Sequence, residues 1–342
     1  MKKRIIVTGG TGYIGSHTAV ELIQDGYEVI LIDNLYNSEK EVAGRIGKIT
    51  GTTPELEILD LCDREKLNNF LGRQKNIDAV IHFAAYKAVG ESVNKPLDYY
   101  RNNLVSLINL LDSMRTYNIP GIVFSSSCTV YGQPEKLPVT EDAPIQPAVS
   151  PYGNTKQIGE EIIRDTVFAE EKISAISLRY FNPIGAHSSA IIGELPRGVP
   201  ENLVPFITQT AYGLRDELKV FGSDYDTPDG SCIRDYLHVV DLALAHVIAV
   251  KRLTEKKNLK RYEVFNLGTG RGVSVLEAIH SFEKATGIKL KYTITDRRPG
   301  DIEKIWADPT LANSVLGWKA LSTLDECMRT AWEWEKNIRK KK

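Results

Sequence analysis

Over its first half the chain alternates short, continuous apolar runs with longer segments whose apolar residues recur at helical spacing. The runs are Ile5-Ile6-Val7, EVILIDN at 28–34, LEILDL at 56–61, AVIHFAA at 79–85 and GIVFSSSCTVYG from Gly121. Apolar runs without polar alternation suit strands buried on both faces of a parallel sheet. Between them, helices are predicted from Tyr13 to Leu22, near 39–50, near 63–73 and from Pro96 to Tyr117. The last has an apolar stripe of Leu104, Leu107, Leu110, Leu111 and Met114, which fits either the sheet or a partner subunit. Strand and helix in regular alternation predict an α/β fold built on a Rossmann-type doubly wound parallel sheet. The second half alternates less regularly. Helices are expected at 203–212, 239–253, 274–286, near 308–316 and at 323–337, with strands at 219–222, 262–268 and 289–296, as in a smaller mixed α/β domain.

Composition narrows the function classes. At 342 residues and a net charge of −1, the chain can form one large or two moderate domains and has no electrostatic reason to bind nucleic acid or a membrane surface. Cys62, Cys128, Cys232 and Cys327 lie far apart without a CxxC pair, so neither a disulfide framework nor a metal site is expected, and reduced thiols suggest a cytoplasmic setting. Only three apolar residues follow the basic Met1–Arg4, too few for a secretion signal, and no run approaches a membrane span. Trp318, Trp332 and Trp334 read as core or helix-packing residues, His82 as a satisfied core histidine, and Arg339–Lys342 as a solvated tail.

Candidate chemistry begins at Gly9, Gly12 and Gly15. Between the first strand and the first helix, such a turn either serves close packing or offers open amides and the positive helix end to a pyrophosphate. Asp33 ends the second strand about 20 residues later, where a carboxylate can hold ribose hydroxyls. It disfavours a 2′-phosphate, since like charges about 4 Å apart cost on the order of 4 kcal/mol at an effective dielectric near 20. NAD is therefore preferred over NADP. Asp60 and Phe83 fall at strand ends, where ligands sit in open α/β sheets, and Ser125–Ser127 either satisfy loop amides or face a ligand. Ser150 and Pro151 open a helix on which Tyr152 and Lys156, four apart, share a face. A phenol has a reference pKa of about 10, so a base at neutral pH needs a neighbouring cation to favour the phenolate.

Glycine loop, Asp33, Ser127 and the YxxxK pair together resemble the extended short-chain dehydrogenase/reductase superfamily. The resemblance continues through TGGTGYIGSH, IDNLYNS, HFAAYKAVGESV, YYRNN, FSSSCTVYG, SPYGNTK, LRYFNPIGAH, IRDYLHVVDLA, NLGTG and RRPGD, and within the superfamily it is specific to enzymes that epimerise UDP-hexoses at C4. It implies that UDP-glucose and UDP-galactose are interconverted: a hydride leaves C4 for bound NAD, the 4-keto sugar rotates, and the hydride returns to the other face. Tyr152 is then the general base and acid, Lys156 lowers its pKa and holds the nicotinamide ribose, and Ser127 orients the 4-hydroxyl. It places Gly9, Gly12, Tyr13, Ile14 and Gly15 at the pyrophosphate, Asp33, Asn34, Asn37 and Ser38 at the adenosine, and Asp60 and Leu61 at the adenine. Phe83, Ala84, Lys87, Asn102, Ser125 and Phe181 complete the cofactor site with Tyr152 and Lys156. On the substrate it implies Arg234 and Arg298 at the diphosphate, and Asn182, Asn202, Leu203, Phe221, Asp301 and Ile305 beside Ser127 and Tyr152. The implied domains are NAD-binding at 1–182 and mainly substrate-binding at 183–342, the chain crossing back near 235–270. The resemblance also implies a homodimer, through the helices that begin near Pro96 and Pro151.

Two departures bear on the substrate. Glu201-Asn202 stands where the family commonly has two asparagines, and only Asn202 is carried over. Ile305 stands where some members have a tyrosine that closes the sugar pocket and others a small residue that admits N-acetylated sugars; its intermediate size implies preference for UDP-glucose and UDP-galactose with some activity on the N-acetyl forms. A sugar-nucleotide 4,6-dehydratase is the rival enzyme, but Ser127-Cys128-Thr129 lacks the Asp-Glu pair of those enzymes. A non-catalytic nucleotide-sensing regulator is expected to have lost Tyr152 or Lys156, and both are present. A net dehydrogenase, a third reading, would release reduced cofactor at every turnover, whereas an epimerase retains it.

Overall fold

The computed structural model describes residues 2–298 and 302–340. Seven parallel strands form the central sheet: β1 (Arg4–Thr8), β2 (Glu28–Asp33), β3 (Glu55–Ile58), β4 (Ile77–His82), β5 (Gly121–Ser125), β6 (Ser174–Tyr180) and, after four short strands elsewhere, β11 (Tyr262–Leu267). Their order is β3-β2-β1-β4-β5-β6-β11. Strand order reverses between β1 and β4, which opens a crevice at the carboxyl ends of the strands where ligands bind in such sheets.

Alternation along each strand assigns its side chains to two helical layers. Ile5, Val7, Val29, Leu31, Ala79 and Ile81 pack with α1 (Tyr13–Gln24), α2 (Glu41–Thr50) and α8 (Val239–Thr254). Ile6, Ile30, Ile32, Val80, Ile122 and Phe124 face α3 (Arg64–Leu71), α5 (Pro96–Thr116) and α6 (Pro151–Ala169). The stripe of α5 enters this second layer through Leu107, Leu110, Leu111 and Met114, so it packs on its own sheet, while Val105 and Ile108 stay exposed on the other side of the helix.

A separate core joins α7 (Leu203–Ala211), α9 (Val275–Thr286) and α10 (Leu324–Arg339) to β8 (Leu218–Phe221), which pairs with β13 (Tyr292–Thr295). Short pairs β7 (Asn182–Ile184) with β10 (Tyr236–His238), and β9 (Ile233–Arg234) with β12 (Val273–Ser274), connect this part to the main sheet. α4 (Val89–Asn94) precedes α5. Among the described residues, no helix is long and apolar enough to cross a membrane.

Some element bounds differ from expectation. The strand expected at 56–61 ends at Ile58, because Asp60 turns the chain and its Oδ1 accepts the Cys62 N–H at 2.8 Å. The helix expected near 308–316 shortens to a π-helical turn, Ala312–Leu316, stopped by Gly317 at φ +75°. Trp318 and Trp334 are buried, and the Trp318 indole N–H donates to the Asp241 carbonyl at 2.8 Å.

His17, His82 and His246 are buried, and burial pushes them down to about 3, 3 and 4. His82 is satisfied at Nδ1 by the Thr8 hydroxyl, 2.8 Å away. A histidine held below its unfolded pKa near 6.5 contributes stability that is complete above that pH and lost as pH falls toward the folded value. Near pH 5 the unfolded chain binds about three more protons at these sites, a slope of up to about 4 kcal/mol per pH unit. Burial raises Glu21, Glu141 and Asp235, which act in the opposite sense. Urea unfolding at pH 7.5, 6 and 5 is expected to give falling stability, and equal midpoints at the three values would contradict it.

Candidate active site

The glycine loop joins β1 to α1 at the crevice. Gly9 has φ +67°, and a Cβ there would lie 2.8 Å from the Ala84 nitrogen; one on Gly15 would lie 2.2 Å from the Gly9 carbonyl oxygen. Only glycine fits either position, and the backbone stays bare where a phosphate can approach. Gly12 caps α1 without a side-chain hydrogen bond, so the cap itself offers the first-turn amides of Tyr13, Ile14 and Gly15 no side-chain acceptor.

Asp33, at the end of β2, orders the neighbouring turn. Its Oδ2 accepts the Thr11 N–H at 3.1 Å, and its Oδ1 accepts the Leu35 N–H and the Ser38 hydroxyl, each at 2.9 Å. The Asn34 amide donates to Asp60 Oδ2 at 3.1 Å, so Asp33, Asn34, Ser38 and Asp60 line one bank with Asn37 between them in sequence. Leu61 is buried in the α3–α5 layer. Phe83 continues β4, its N–H donating to the Thr8 carbonyl at 3.0 Å, and Ala84 lies against Gly9. The Asn102 amide donates to Asn103 Oδ1 at 2.9 Å, the Lys87 ammonium to Glu194 Oε1 at 2.9 Å, and the Phe181 N–H to the Leu267 carbonyl at 3.2 Å. Bare glycines, helix amides and a terminal carboxylate fit a dinucleotide whose ribose carries free hydroxyls.

Across the crevice, Ser150 caps α6 by accepting the Gly153 N–H at 3.1 Å, with Pro151 in the first turn. This fixes the face that carries Tyr152 and Lys156, both buried. The Lys156 ammonium donates to the Ser125 carbonyl at 2.6 Å and lies 5.8 Å from the Tyr152 ring centroid. The three serines divide. Ser125 shares a 2.6 Å hydrogen bond with the Tyr180 hydroxyl, Ser126 donates to Glu160 Oε1 at 2.5 Å, and Ser127 accepts the Thr129 N–H at 3.2 Å. Burial pushes the Tyr152 phenol well above 10, with Tyr180 adding to the rise, and the Ser127 hydroxyl draws it back. Burial also lowers Lys156 to about 8, against the opposing charge of Glu160. Desolvation thus dominates the isolated dyad, and the lowering expected from the ammonium needs a further positive charge beside the phenol.

On the second-half side, the Asn182 N–H donates to the Asp235 carbonyl at 3.0 Å and the Asn202 amide to Glu194 Oε1 at 2.7 Å, just before Leu203 opens α7. Arg234 donates to the Ile233 carbonyl at 2.8 Å, and the Arg298 guanidinium lies 5.4 Å from the Phe221 ring centroid. Ile305 is buried against Val130, Tyr131, Val139, Phe181 and Ala307. Asp301 lies outside the described residues.

Several residues beside the site were not anticipated. Glu160 accepts Arg179 Nε at 2.9 Å and Nη2 at 2.6 Å, and Arg179 donates to the Tyr131 hydroxyl at 2.9 Å, a buried network beside the serines. Asp235, fully buried, accepts the N–H groups of Thr269, Gly270 and Ala307 at 2.9, 3.3 and 3.2 Å. The one available signal was a charged residue inside a short, otherwise uncharged stretch, as Arg179 is in SAISLRY.

A cradle for a dinucleotide at the switch point of a seven-stranded sheet, faced by a YxxxK pair, defines an extended short-chain dehydrogenase/reductase. A family model described as GDP-mannose 4,6 dehydratase matches residues 6–331. A UDP-glucose 4-epimerase of Bacillus subtilis is 50% identical over 97% of this chain and 96% of its own. The crystal structure of an epimerase of that name from Stenotrophomonas maltophila, with bound NAD and formylated UDP-arabinopyranose, superposes with a TM-score of 0.95 at 46% identity over 99% of this chain and 100% of that one. Another from Bifidobacterium longum, in complex with NAD+ and UDP, gives a TM-score of 0.93 at 44% identity over 98% and 99%. The chain belongs to the UDP-glucose 4-epimerase family.

Proposed function

We propose that this protein is an NAD-dependent isomerase of galactose metabolism that interconverts UDP-glucose and UDP-galactose by oxidising and re-reducing C4 of the sugar. The observation that carries the reading is the buried Tyr152–Lys156 pair, whose ammonium sits on the Ser125 carbonyl at the carboxyl end of β5, the sheet edge at which the glycine loop follows β1. Bound NAD+ supplies a hydride acceptor and a positive charge beside the phenol. Tyr152 takes the proton of the 4-hydroxyl and returns it to the 4-keto oxygen after the sugar has turned, while Ser127 orients that hydroxyl. Lys156 is drawn from the Ser125 carbonyl toward the nicotinamide ribose and, as an ammonium, stabilises the phenolate. Arg234 and Arg298 hold the diphosphate while the sugar turns, with Asn182, Asn202, Leu203, Phe221 and Asp301 around the nucleotide. In this reading residues 1–182 bind NAD and residues 183–342 mainly bind UDP-hexose. The protein acts in the cytoplasm as a homodimer joined through α5 and α6, where exposed Val105, Ile108 and Phe168 favour such contact. Incubation with UDP-galactose tests the activity: UDP-glucose without accumulating NADH is expected, and a 4-keto-6-deoxy product would identify a dehydratase instead.

Ile305 sets the preference within the substrate class. Its buried side chain narrows the pocket without filling it as a tyrosine would, so UDP-galactose is favoured and the N-acetyl form is turned over more slowly. Shortening the side chain in Ile305→Ala is expected to raise kcat/KM for UDP-N-acetylgalactosamine relative to UDP-galactose by about 10-fold, the scale of one or two methylenes in a binding pocket. Equal specificity constants for the two sugars in the unsubstituted protein would contradict the preference.

A further inference from the structure

Residues 185–202 run from the end of β7 to the start of α7 and touch three of the segments that surround the cofactor cradle. At α1, the Tyr13 hydroxyl donates to the Gly185 carbonyl at 2.6 Å and the His187 N–H to His17 Nε2 at 3.0 Å. Past β4, Glu194 pairs with Lys87. At the turn after β2, Arg197 donates to the Tyr36 carbonyl at 2.7 Å, the Leu35 carbonyl at 3.3 Å and the Ser38 carbonyl at 2.6 Å. The back of the segment is fixed, because the Trp334 indole N–H donates to the Glu194 carbonyl at 2.8 Å and the Asn337 amide to the Ala190 carbonyl at 2.5 Å. It is a strap anchored on α10 and tied to three banks of the crevice.

The Arg197 tie differs from the others in what it grips. Three main-chain carbonyls converge on one guanidinium, whose planar fork of donors suits such a set. The turn is shaped for this by Asp33: Leu35 stands at φ +59°, a left-handed conformation that its side chain disfavours, and Asp33 Oδ1 holds it there by accepting the Leu35 N–H. The carboxylate expected to take the adenosine ribose therefore also orders the turn that Arg197 closes on.

We propose that Arg197 is a positioning residue that latches the 185–202 strap to the adenosine turn and retains NAD through many turnovers. The proposal rests on the reading that NAD occupies the cradle between the glycine loop and Asp33. An epimerase returns the hydride to its own substrate, so cofactor exit is no part of the cycle, and a latch slows exit without slowing chemistry.

The test loads the protein with NAD, removes free cofactor and follows release of the bound portion. Arg197→Met is expected to release NAD about 10-fold faster, a modest factor for three lost contacts because water competes for the exposed guanidinium, with a matching loss of apparent NAD affinity and a far smaller change in kcat at saturating NAD. Arg197→Lys, which keeps a donor cation, is expected to fall between. Amide hydrogen exchange at residues 34–38 without cofactor is expected to be faster in Arg197→Lys than in the parent, which keeps the test decisive if the methionine variant folds poorly. Parent protein that holds NAD while both variants release it at the parent rate overturns the latch and leaves the cofactor reading intact. Parent protein that binds no NAD overturns that reading and the latch with it.

Discussion

Replacing Tyr152 by phenylalanine is expected to lower the rate of UDP-galactose conversion by about 10² to 10⁴, the usual contribution of a positioned general base. The variant keeps the ring that packs in the crevice and removes only the hydroxyl. Tyr152 is buried, and no described main-chain group depends on its hydroxyl, so thermal stability and NAD binding should stay near those of the parent. The parent rate should also fall on the acid side, because protons compete for the phenolate that the Lys156 ammonium and the positive charge of bound NAD+ favour. That limb is expected to disappear in the phenylalanine variant. Comparable rates in the two proteins would remove Tyr152 from the chemistry.

Replacing Glu160 by alanine is expected to destabilise the fold by about 3–5 kcal/mol, the range for breaking a buried ion pair by removing one partner. Glu160 and Arg179 have side chains only 10% and 8% exposed, and both guanidinium contacts of Arg179 with Glu160 would be lost at once. Ser126 would lose its acceptor as well, which loosens the loop that carries Ser127. Catalysis should therefore fall even in molecules that remain folded. Removing the Glu160 charge also takes away what opposes the burial of Lys156, so the ammonium should titrate below about 8 and the alkaline limb of the rate should move to lower pH. Urea unfolding measures the stability loss. A loss below about 1 kcal/mol, within the range of exposed pairs, would show that the network carries little of the fold.

Much of the main sheet was legible because four of its strands are buried on both faces and therefore read as unbroken apolar runs. β1, β2, β4 and β5 appear as Ile5-Ile6-Val7 and its counterparts. β6 was not read as a strand, since Arg179 and two serines interrupt SAISLRY; its burial depends on Glu160 and Tyr131, residues distant in sequence. β7, β9, β10 and β12 are two or three residues long and exist through pairing alone, which local pattern cannot show. The Tyr152–Lys156 face and the glycine loop were visible because spacing on one helix and one turn determines them. The Glu160–Arg179 network and the Arg197 strap join separate segments, so local pattern shows at most that Arg179 is a charge in a strand-like stretch and does not show its partner, and it says nothing of the strap. Lys156 shows a subtler limit: helical spacing placed it near Tyr152, while depth of burial decides what either group does to the other's proton.

The central claim is that C4 is oxidised and reduced again on a cofactor that stays in place. Incubation of the purified protein with UDP-galactose deuterated at C4, in ordinary water and without added NAD, tests this most directly when the product is followed by proton NMR. UDP-glucose that still carries deuterium at C4, formed over many turnovers with no accumulating NADH, is the predicted result. Product carrying solvent hydrogen at C4, or NADH accumulating as sugar is consumed, would contradict it.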